Sequence, residues 1–134
     1  MSARRKVLLI DDNDHTLDLL ELFLHRDYDI LTAENGFQGL KVAQAERPDL
    51  IMTDIMMPVM DGVAFFNELR RREETARTPV IALTSFAEPT TVKSLLNVGF
   101  AGVLAKPFQR ASILATVARQ LPPPEEEHER APAE

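Results

Sequence analysis

The sequence predicts an α/β domain in which a doubly wound parallel sheet of five strands carries helices on both faces. Two observations support this fold class. Five short apolar runs alternate with five helix-length segments between residues 7 and 121. Four of these runs are almost continuously apolar, as in strands that are buried on both faces. Strict alternation of strand and helix implies parallel pairing through right-handed crossovers.

The five predicted strands are short and rich in aliphatic residues. The second run, DILTA, is more mixed in polarity than the others, which favours a position at the edge of the sheet. The predicted strands cover residues 7–10, 29–33, 50–54, 80–85 and 102–106.

The helix-length segments carry apolar residues at spacings of three and four. In the first segment three leucines form such a stripe, and Leu19, Leu22 and Phe23 are expected to widen it. Gly99 and Pro122 are typical of the ends of the fourth and fifth helices. The predicted helices cover residues 14–26, 35–46, 63–74, 88–98 and 108–121.

Composition narrows the functional classes. The 134 residues suffice for one domain of ordinary size with its own core. The absence of cysteine excludes a disulfide scaffold and a thiolate metal site and fits a reducing compartment. No signal peptide or membrane-length apolar run is recognisable, and the net charge of −6 disfavours general nucleic-acid binding. We therefore expect a cytoplasmic protein that neither binds nucleic acid directly nor inserts into a membrane.

The negative charge is concentrated in the C-terminal segment PPPEEEHERAPAE. This segment contains five glutamates against one arginine and therefore carries −4 of the net −6. Its three consecutive prolines end the preceding helix, and it offers no large aliphatic side chain to bury. We expect a folded domain over residues 1–121 and a disordered acidic tail over residues 122–134.

Chemically distinctive side chains stand at the ends of four predicted strands. Asp11 and Asp12 follow the first strand and Asp54 ends the third, while Thr84 and Lys106 stand at the ends of the fourth and fifth. Because the carboxyl ends of parallel strands lie at one edge of a sheet, these side chains are expected to converge. Three converging carboxylates repel one another, and a hard divalent cation resolves that repulsion. The pattern predicts a Mg²⁺ site, which Mn²⁺ could also occupy.

The same residues favour phosphoryl chemistry. A carboxylate accepts a phosphoryl group as an acyl phosphate, and Asp54 is the candidate nucleophile. Asp11 and Asp12 are adjacent at a strand end and therefore suit metal ligation better. Lys106 and the Thr84 hydroxyl would face the phosphoryl oxygens, the first as a point charge and the second as a hydrogen-bond donor.

Single residues of this set also have ordinary structural explanations. Asp12 or Asn13 could cap the following helix, and Lys106 alone could be a solvated surface lysine. The three arginines at 70–72, with two glutamates after them, are interpreted as a solvated helix end. The functional interpretation rests on four strand ends that each supply an appropriate residue.

Over residues 7–121 the sequence resembles the receiver domain of bacterial two-component response regulators. The matching segments are LLIDDN, DLIMTDIMMPVMDG, VIALTS and LAKPF, of which the stretch from Asp54 to Gly62 is highly specific. The resemblance implies a flavodoxin-like (βα)5 fold with strand order 2-1-3-4-5. It also implies that a histidine kinase or a histidine phosphotransfer protein phosphorylates Asp54.

The resemblance further implies a set of site residues. The implied Mg²⁺ ligands are Asp11, Asp12, Asp54 and the main-chain carbonyl of Met56. Thr84 and Lys106 match the conserved hydroxyl and lysine of the family, and a cis bond is expected before Pro107. A protein of this kind is a phosphoacceptor switch and not an enzyme, although it assists its own Mg²⁺-dependent phosphorylation and slow dephosphorylation.

Two departures from the family pattern concern the switch and the lifetime of the phosphoryl group. Val103 stands where the family often has a tyrosine or phenylalanine that changes rotamer together with the threonine. A valine cannot move between exposed and buried states in that way. Met56 and Phe86, each two residues after a site residue, are apolar and cannot orient an attacking water. We therefore expect slow loss of the phosphoryl group.

The expected function is that of a single-domain response regulator with a phosphorylation-dependent protein-binding face and an unidentified downstream protein as its target. The alternative is a phosphorylation-independent interaction module on the same fold, which Val103 favours and the complete acidic site opposes. An FMN-binding protein is disfavoured because the loop DDND repels phosphate. A phosphohydrolase of the haloacid dehalogenase type would need an aspartate at Met56.

Overall fold

Five strands and five helices alternate along the chain in a computed structural model, which describes residues 4–121. The strands are β1 (Lys6–Ile10), β2 (Asp29–Ala33), β3 (Leu50–Asp54), β4 (Val80–Thr84) and β5 (Gly102–Ala105). The helices are α1 (Asp14–Leu24), α2 (Gly36–Glu46), α3 (Gly62–Arg70), α4 (Pro89–Val98) and α5 (Arg110–Gln120). The expected acidic tail, residues 122–134, lies outside the described residues.

All strand pairs are parallel, and the strand order is β2-β1-β3-β4-β5. This confirms the predicted fold class and the edge position of β2. In the register, Ile10 of β1 pairs with Thr53 of β3, and Asp54 pairs with Leu83 of β4. The carboxyl ends of the central strands therefore lie side by side.

The core consists of two apolar layers, one on each face of the sheet. Leu8 and Ile10 of β1 belong to the layer under α2, α3 and α4, while Val7 and Leu9 belong to the layer under α1 and α5. All four side chains have no solvent exposure. Burial on both faces explains why the central strands read as continuous apolar runs. No helix within residues 4–121 is long and apolar enough to cross a membrane.

Side-chain caps set the starts of three helices. Asn13 caps α1, since its Oδ1 accepts a hydrogen bond from the N–H of His15 at 2.8 Å. Asn35 caps α2 and Asp61 caps α3 in the same manner. Of the two candidates at the start of α1, the cap is thus Asn13, which leaves the neighbouring Asp12 carboxylate out of this role.

Helix α3 ends at Arg70, four residues earlier than predicted, and this is the largest error among the predicted bounds. The carbonyl of Leu69 accepts a hydrogen bond from the Thr75 hydroxyl at 2.7 Å. The carbonyl of Glu68 accepts one from the Arg72 guanidinium, also at 2.7 Å. Backbone N–H groups reach these carbonyls only at a spacing of three residues, from Arg71 to Glu68 and from Arg72 to Leu69, and the two side chains supplement these weaker bonds where the helix ends. The other bounds agree or differ by one or two residues, as at the end of β5, where Lys106 lies just outside the strand.

Two predictions about surface and core were wrong. Leu19 and Leu22 do not extend the buried stripe of α1, because they are 38% and 64% exposed. Arg70 is not simply solvated, since its guanidinium carbon lies 4.4 Å from the centre of the Phe66 ring and the group donates to the Thr75 carbonyl. Burial lowers the pKa of Arg70 accordingly.

Candidate functional site

Three carboxylates meet at the carboxyl ends of β1 and β3. Asp11 and Asp12 follow β1, Asp54 is the last residue of β3, and the two strands are neighbours in the sheet. One carboxylate oxygen from each residue lies within 4.8 Å of the others. Asp11 and Asp54 are buried, whereas Asp12 is exposed. The convergence that the strand ends predict is therefore present.

Lys106 reaches this cluster from the far side of β4. Its Nζ lies 2.9 Å from Oδ2 of Asp11 and 3.5 Å from Oδ2 of Asp54. Its backbone N–H donates to the Thr84 carbonyl at 2.8 Å, which continues the pairing of β5 with β4, and its peptide bond to Pro107 is cis. The lysine thus joins the carboxylates, as the sequence predicts.

Asp11 uses both of its carboxylate oxygens. Oδ1 accepts a hydrogen bond from the backbone N–H of Asn13 at 2.9 Å, and Oδ2 accepts one from the Lys106 ammonium. These contacts fix the orientation of a carboxylate that has no solvent exposure. Asp11 and Asp12 are adjacent in the sequence but have different surroundings. Asp11 is buried and hydrogen-bonded, whereas Asp12 is exposed to solvent.

The surroundings of Asp54 act on the pKa of its carboxyl group in both directions. Burial raises the pKa of its carboxyl group, and the nearby charge of Asp11 raises that pKa further. The Lys106 ammonium and the backbone N–H of Met56, which donates a hydrogen bond to the carboxylate, lower it in part. The balance is a raised pKa, so the ionised carboxylate is less well stabilised here than in water.

Thr84 lies at the same edge of the sheet, with an exposed fraction of only 2%. Its Oγ1 accepts a hydrogen bond from the backbone N–H of Phe86 at 2.9 Å, which holds the start of the β4–α4 loop. While its oxygen accepts this bond, the Thr84 hydroxyl can still donate its own hydrogen to another group. Phe86 itself is 58% exposed, so the loop presents an aromatic side chain to solvent.

The β3–α3 loop brings the Met56 peptide to the site. The N–H of Gly62 donates to the carbonyl of Ile55 at 2.9 Å and closes the loop. A Cβ atom at Gly62 would lie 2.6 Å from the backbone oxygen of Asp54, so only glycine allows α3 to approach β3 so closely. This role of Gly62 was not predicted, although the residue lies in the recognised motif.

Val59 adopts a strained conformation in the same loop. Its φ is +74°, and the N–H of Met60 donates to the carbonyl of Pro58 at 2.8 Å across it. This is a γ-turn of the rarer type, with positive φ at the central residue. A β-branched residue seldom adopts such a backbone, and no feature of the sequence signals it.

Val103, the departure from the family's aromatic position, is half-buried. It packs against the core layer that contains Phe66 and Phe100, whose ring centres are 4.6 Å apart. Phe100 is buried, with an exposed fraction of 3%. Val103 thus contributes an aliphatic side chain to this core layer at the position where the family often has an aromatic one.

The donor set suits a hard divalent cation. Three carboxylates face one ammonium group, so the cluster retains an excess of negative charge. All of its candidate ligand atoms are oxygens, which Mg²⁺, Ca²⁺ and Mn²⁺ prefer. The residues present therefore fit the predicted metal.

A family model for the response regulator receiver domain matches residues 7–118. The chemotaxis protein CheY of Halobacterium salinarum is 32% identical over 85% of this chain and 94% of its own length. In other curated relatives, such as a transcriptional regulator of Bacillus subtilis and a hybrid histidine kinase of Dictyostelium discoideum, the matched region is 47% and 7% of the protein.

Solved structures agree with this assignment. The chemotaxis response regulator CheY4 of Vibrio cholerae superposes with a TM-score of 0.83 at 33% identity, covering 89% of this chain and 100% of that one. The receiver domain of sensor histidine kinase PA1611 of Pseudomonas aeruginosa has a TM-score of 0.80 at 33% identity, with 88% and 98% coverage. That structure has a magnesium ion coordinated in its active site cleft. The fold, the strand-end cluster and these matches together establish that the chain belongs to the response regulator receiver domain family.

Proposed function

We propose that Asp54 accepts a phosphoryl group from the phosphohistidine of a histidine kinase or a histidine phosphotransfer protein. The observation that carries this proposal is the position of the Asp54 carboxylate, which lies 3.5 Å from the Lys106 ammonium within a cluster of three carboxylates. Such a site stabilises the charge of a transferring phosphoryl group through fixed charged groups. The chain then acts as a switch and not as an enzyme.

In the proposed transfer, an oxygen of Asp54 attacks the phosphorus atom in line with the bond to the donor nitrogen. The new O–P bond forms while the P–N bond breaks, and its electron pair returns to the imidazole of the donor. Lys106 neutralises part of the charge of the transferred group, and the Thr84 hydroxyl donates its hydrogen to a phosphoryl oxygen. Asp11 keeps Lys106 in place, since the two are 2.9 Å apart.

The residues that would hold Mg²⁺ are Asp11, Asp12, Asp54 and the main-chain carbonyl of Met56, with Mn²⁺ as a substitute. The ion, when bound, screens the charge between Asp54 and the incoming phosphoryl group. The three carboxylate oxygens within 4.8 Å of one another support this assignment, as does the magnesium in the related receiver domain. Asp12, the exposed member, leaves one side of the site open to solvent.

We propose that phosphorylation changes the face formed by α4, β5 and α5, and that a downstream protein reads this change. A rotation of the Thr84 side chain toward a phosphoryl group moves Oγ1 away from the N–H of Phe86, and the β4–α4 loop then rearranges. Helix α4 is lightly held, because Leu95 is its only buried residue and the Glu88 side chain makes no capping hydrogen bond. We propose that this exchange takes place in a reducing compartment, the cytoplasm, with which the absence of cysteine agrees.

The test is phosphorylation by acetyl phosphate in the presence of MgCl₂, followed by intact-mass measurement. We expect one phosphoryl adduct on the wild-type protein, and none on Asp54→Asn or after addition of EDTA. Asp18→Asn, a change at an exposed carboxylate of α1, serves as the matched control and should be phosphorylated like the wild type. A folded wild-type protein that takes up no phosphoryl group would contradict the proposal and favour a phosphorylation-independent interaction module.

A further inference from the structure

The four methionines within residues 4–121 differ sharply in their exposure. Met52 is fully buried and Met57 is 8% exposed, both within the core. Met60 is half-buried and packs against α2, where a Cβ on Gly36 would lie 2.8 Å from its sulfur. Met56 is 66% exposed. Among the described methionines, Met56 is therefore the one whose thioether is open to a dissolved reagent.

Exposure decides which methionines are oxidised by peroxides. Hydrogen peroxide transfers one oxygen atom to the thioether sulfur: the O–O bond breaks, an S–O bond forms, the sulfur loses two electrons, and water is released. The product, methionine sulfoxide, is polar, and its oxygen is a strong hydrogen-bond acceptor. Reductases reverse the reaction, so the modification can act as a switch.

Met56 is also next to the candidate phosphoacceptor. It follows Asp54 by two residues in the loop that leaves β3, so its side chain begins near that group. Phe86, two residues after Thr84 on the neighbouring strand, is apolar and exposed as well. Neither side chain can hold a water molecule in position to attack a phosphoryl group, whereas a sulfoxide oxygen at Met56 can accept a hydrogen bond from such a water.

We propose that Met56 is an oxidation site for peroxides and that its sulfoxide shortens the lifetime of the phosphoryl group on Asp54. The modification site follows from exposure alone. Its effect on lifetime rests on the proposed function of Asp54. Under oxidising conditions the phosphorylated state would therefore decay sooner, until a reductase restores the thioether.

The first experiment tests the site without phosphorylation. The whole chain is treated with dilute hydrogen peroxide, and the oxidised positions are identified by intact mass and peptide mapping, which also separates Met1. We expect Met56 to gain one oxygen well before Met52, Met57 and Met60, and Met56→Leu to lose this early product. Equal oxidation of the four residues in a protein that circular dichroism shows to be folded would overturn the proposal.

The second experiment tests the effect on lifetime. Protein phosphorylated with acetyl phosphate is freed of donor, and the decay of the adduct is followed by mass with and without oxidation of Met56. We expect decay about three- to tenfold faster after oxidation, which corresponds to roughly one hydrogen bond to the attacking water. Treatment with methionine sulfoxide reductases should return the rate to that of the untreated protein.

The controls separate the two parts of the proposal. Peroxide should leave the decay rate of Met56→Leu at the value of untreated Met56→Leu, and Met56→Gln should decay faster than Met56→Leu because its amide oxygen accepts a hydrogen bond. An unchanged decay rate in protein fully oxidised at Met56 would overturn the link to signalling. Failure to form any adduct would contradict the proposed function of Asp54 and leave the mapped oxidation site standing.

Discussion

The Nζ atom of Lys106 lies 2.9 Å from Oδ2 of Asp11, although 95 positions separate the two residues in the sequence. The Asp11 side chain is 1% exposed and that of Lys106 is 21% exposed. An ion pair this well shielded from water is sensitive to the loss of one partner, because the other is then a buried, uncompensated charge. The contact ties the end of β1 to the end of β5.

Replacing the lysine is therefore expected to destabilise the protein in the absence of divalent ions. Lys106→Met should lower the free energy of unfolding by about 2 kcal/mol, less than for a fully buried pair because the lysine is partly solvated. Added MgCl₂ should recover more stability in this variant than in the wild type, since a bound cation replaces the missing charge. Urea denaturation with and without Mg²⁺ measures both effects.

Lys93→Met, at an exposed position of α4, is the matched control and should change stability by less than about 0.5 kcal/mol. Equal loss in the two variants, or no extra response of Lys106→Met to Mg²⁺, would contradict the view that Lys106 compensates the acidic cluster.

Asp54→Asn is expected to stabilise the protein at neutral pH. Burial and the charge of Asp11 raise the pKa of the Asp54 carboxyl in the folded state, above its ordinary value of 3.8. At pH values between the ordinary pKa and the higher native pKa, the folded state binds more protons than the unfolded state. The free energy of unfolding therefore falls as the pH rises through this window. Above this window the carboxylate thus weakens the fold, and its replacement by the neutral amide should raise Tm by roughly 2–5 °C at pH 7 in metal-free buffer.

The sign of the pH dependence provides a further check. As the pH falls through the native pKa of Asp54, its carboxylate takes up a proton and the unfavourable buried charge disappears. The difference in Tm between Asp54→Asn and the wild type should therefore shrink. Thermal unfolding scans between pH 7 and pH 4, with Asp18→Asn as the surface control, follow this difference. A lower Tm for Asp54→Asn at pH 7 would mean that the attraction of Lys106 outweighs burial.

Polar replacements beside the site are expected to speed the loss of the phosphoryl group. Met56 and Phe86 are 66% and 58% exposed and offer no acceptor to an attacking water. Met56→Asn and Phe86→Glu should each shorten the lifetime of the adduct about three- to tenfold. Phe37→Glu, which changes a phenylalanine of α2 that is 53% exposed, should decay like the wild type. Decay of the purified adduct in Mg²⁺ buffer provides the measurement, and equal rates in all four proteins would refute the idea.

The parts of the site that follow from the parallel direction of the strands were predictable from the sequence. In a parallel sheet the carboxyl ends of all strands lie at one edge, so Asp11, Asp54 and Lys106 could be placed together from the sequence alone. Their separation along the chain was no obstacle, because the alternating apolar runs defined each strand end. The exact order of the strands, in contrast, came from the family resemblance.

The parts that depend on local geometry were not predictable. Asp11 and Asp12 are the same residue type at adjacent positions, and only the turn into α1 decides that one is buried and the other exposed. The end of α3 depends on the Thr75 hydroxyl, which reaches back to the carbonyl of Leu69. Such competition between side chains and backbone leaves no periodic signal in the sequence.

Val59 is a further case of local geometry, and it leads to a prediction about stability. Met57 is buried in the core and Met60 packs against Gly36, so the chain must reverse direction within the two residues between them. Proline fixes its own φ near its usual negative value, and Val59 takes the positive φ of +74°. The core contacts on both sides hold this strained conformation in place.

Val59→Gly and Val59→Asn should therefore raise the free energy of unfolding by about 0.5–1 kcal/mol, since both residues tolerate positive φ. In the glycine variant, part of the stability gained from the relieved backbone strain is offset by the greater conformational entropy of glycine in the unfolded chain. Val59→Ala retains a Cβ atom and should gain little, which separates backbone strain from the removal of an apolar side chain that is 78% exposed. Urea denaturation with unchanged m-values measures the three variants. An equal gain in the alanine variant would show that exposure of the valine, and not its φ, is the unfavourable feature.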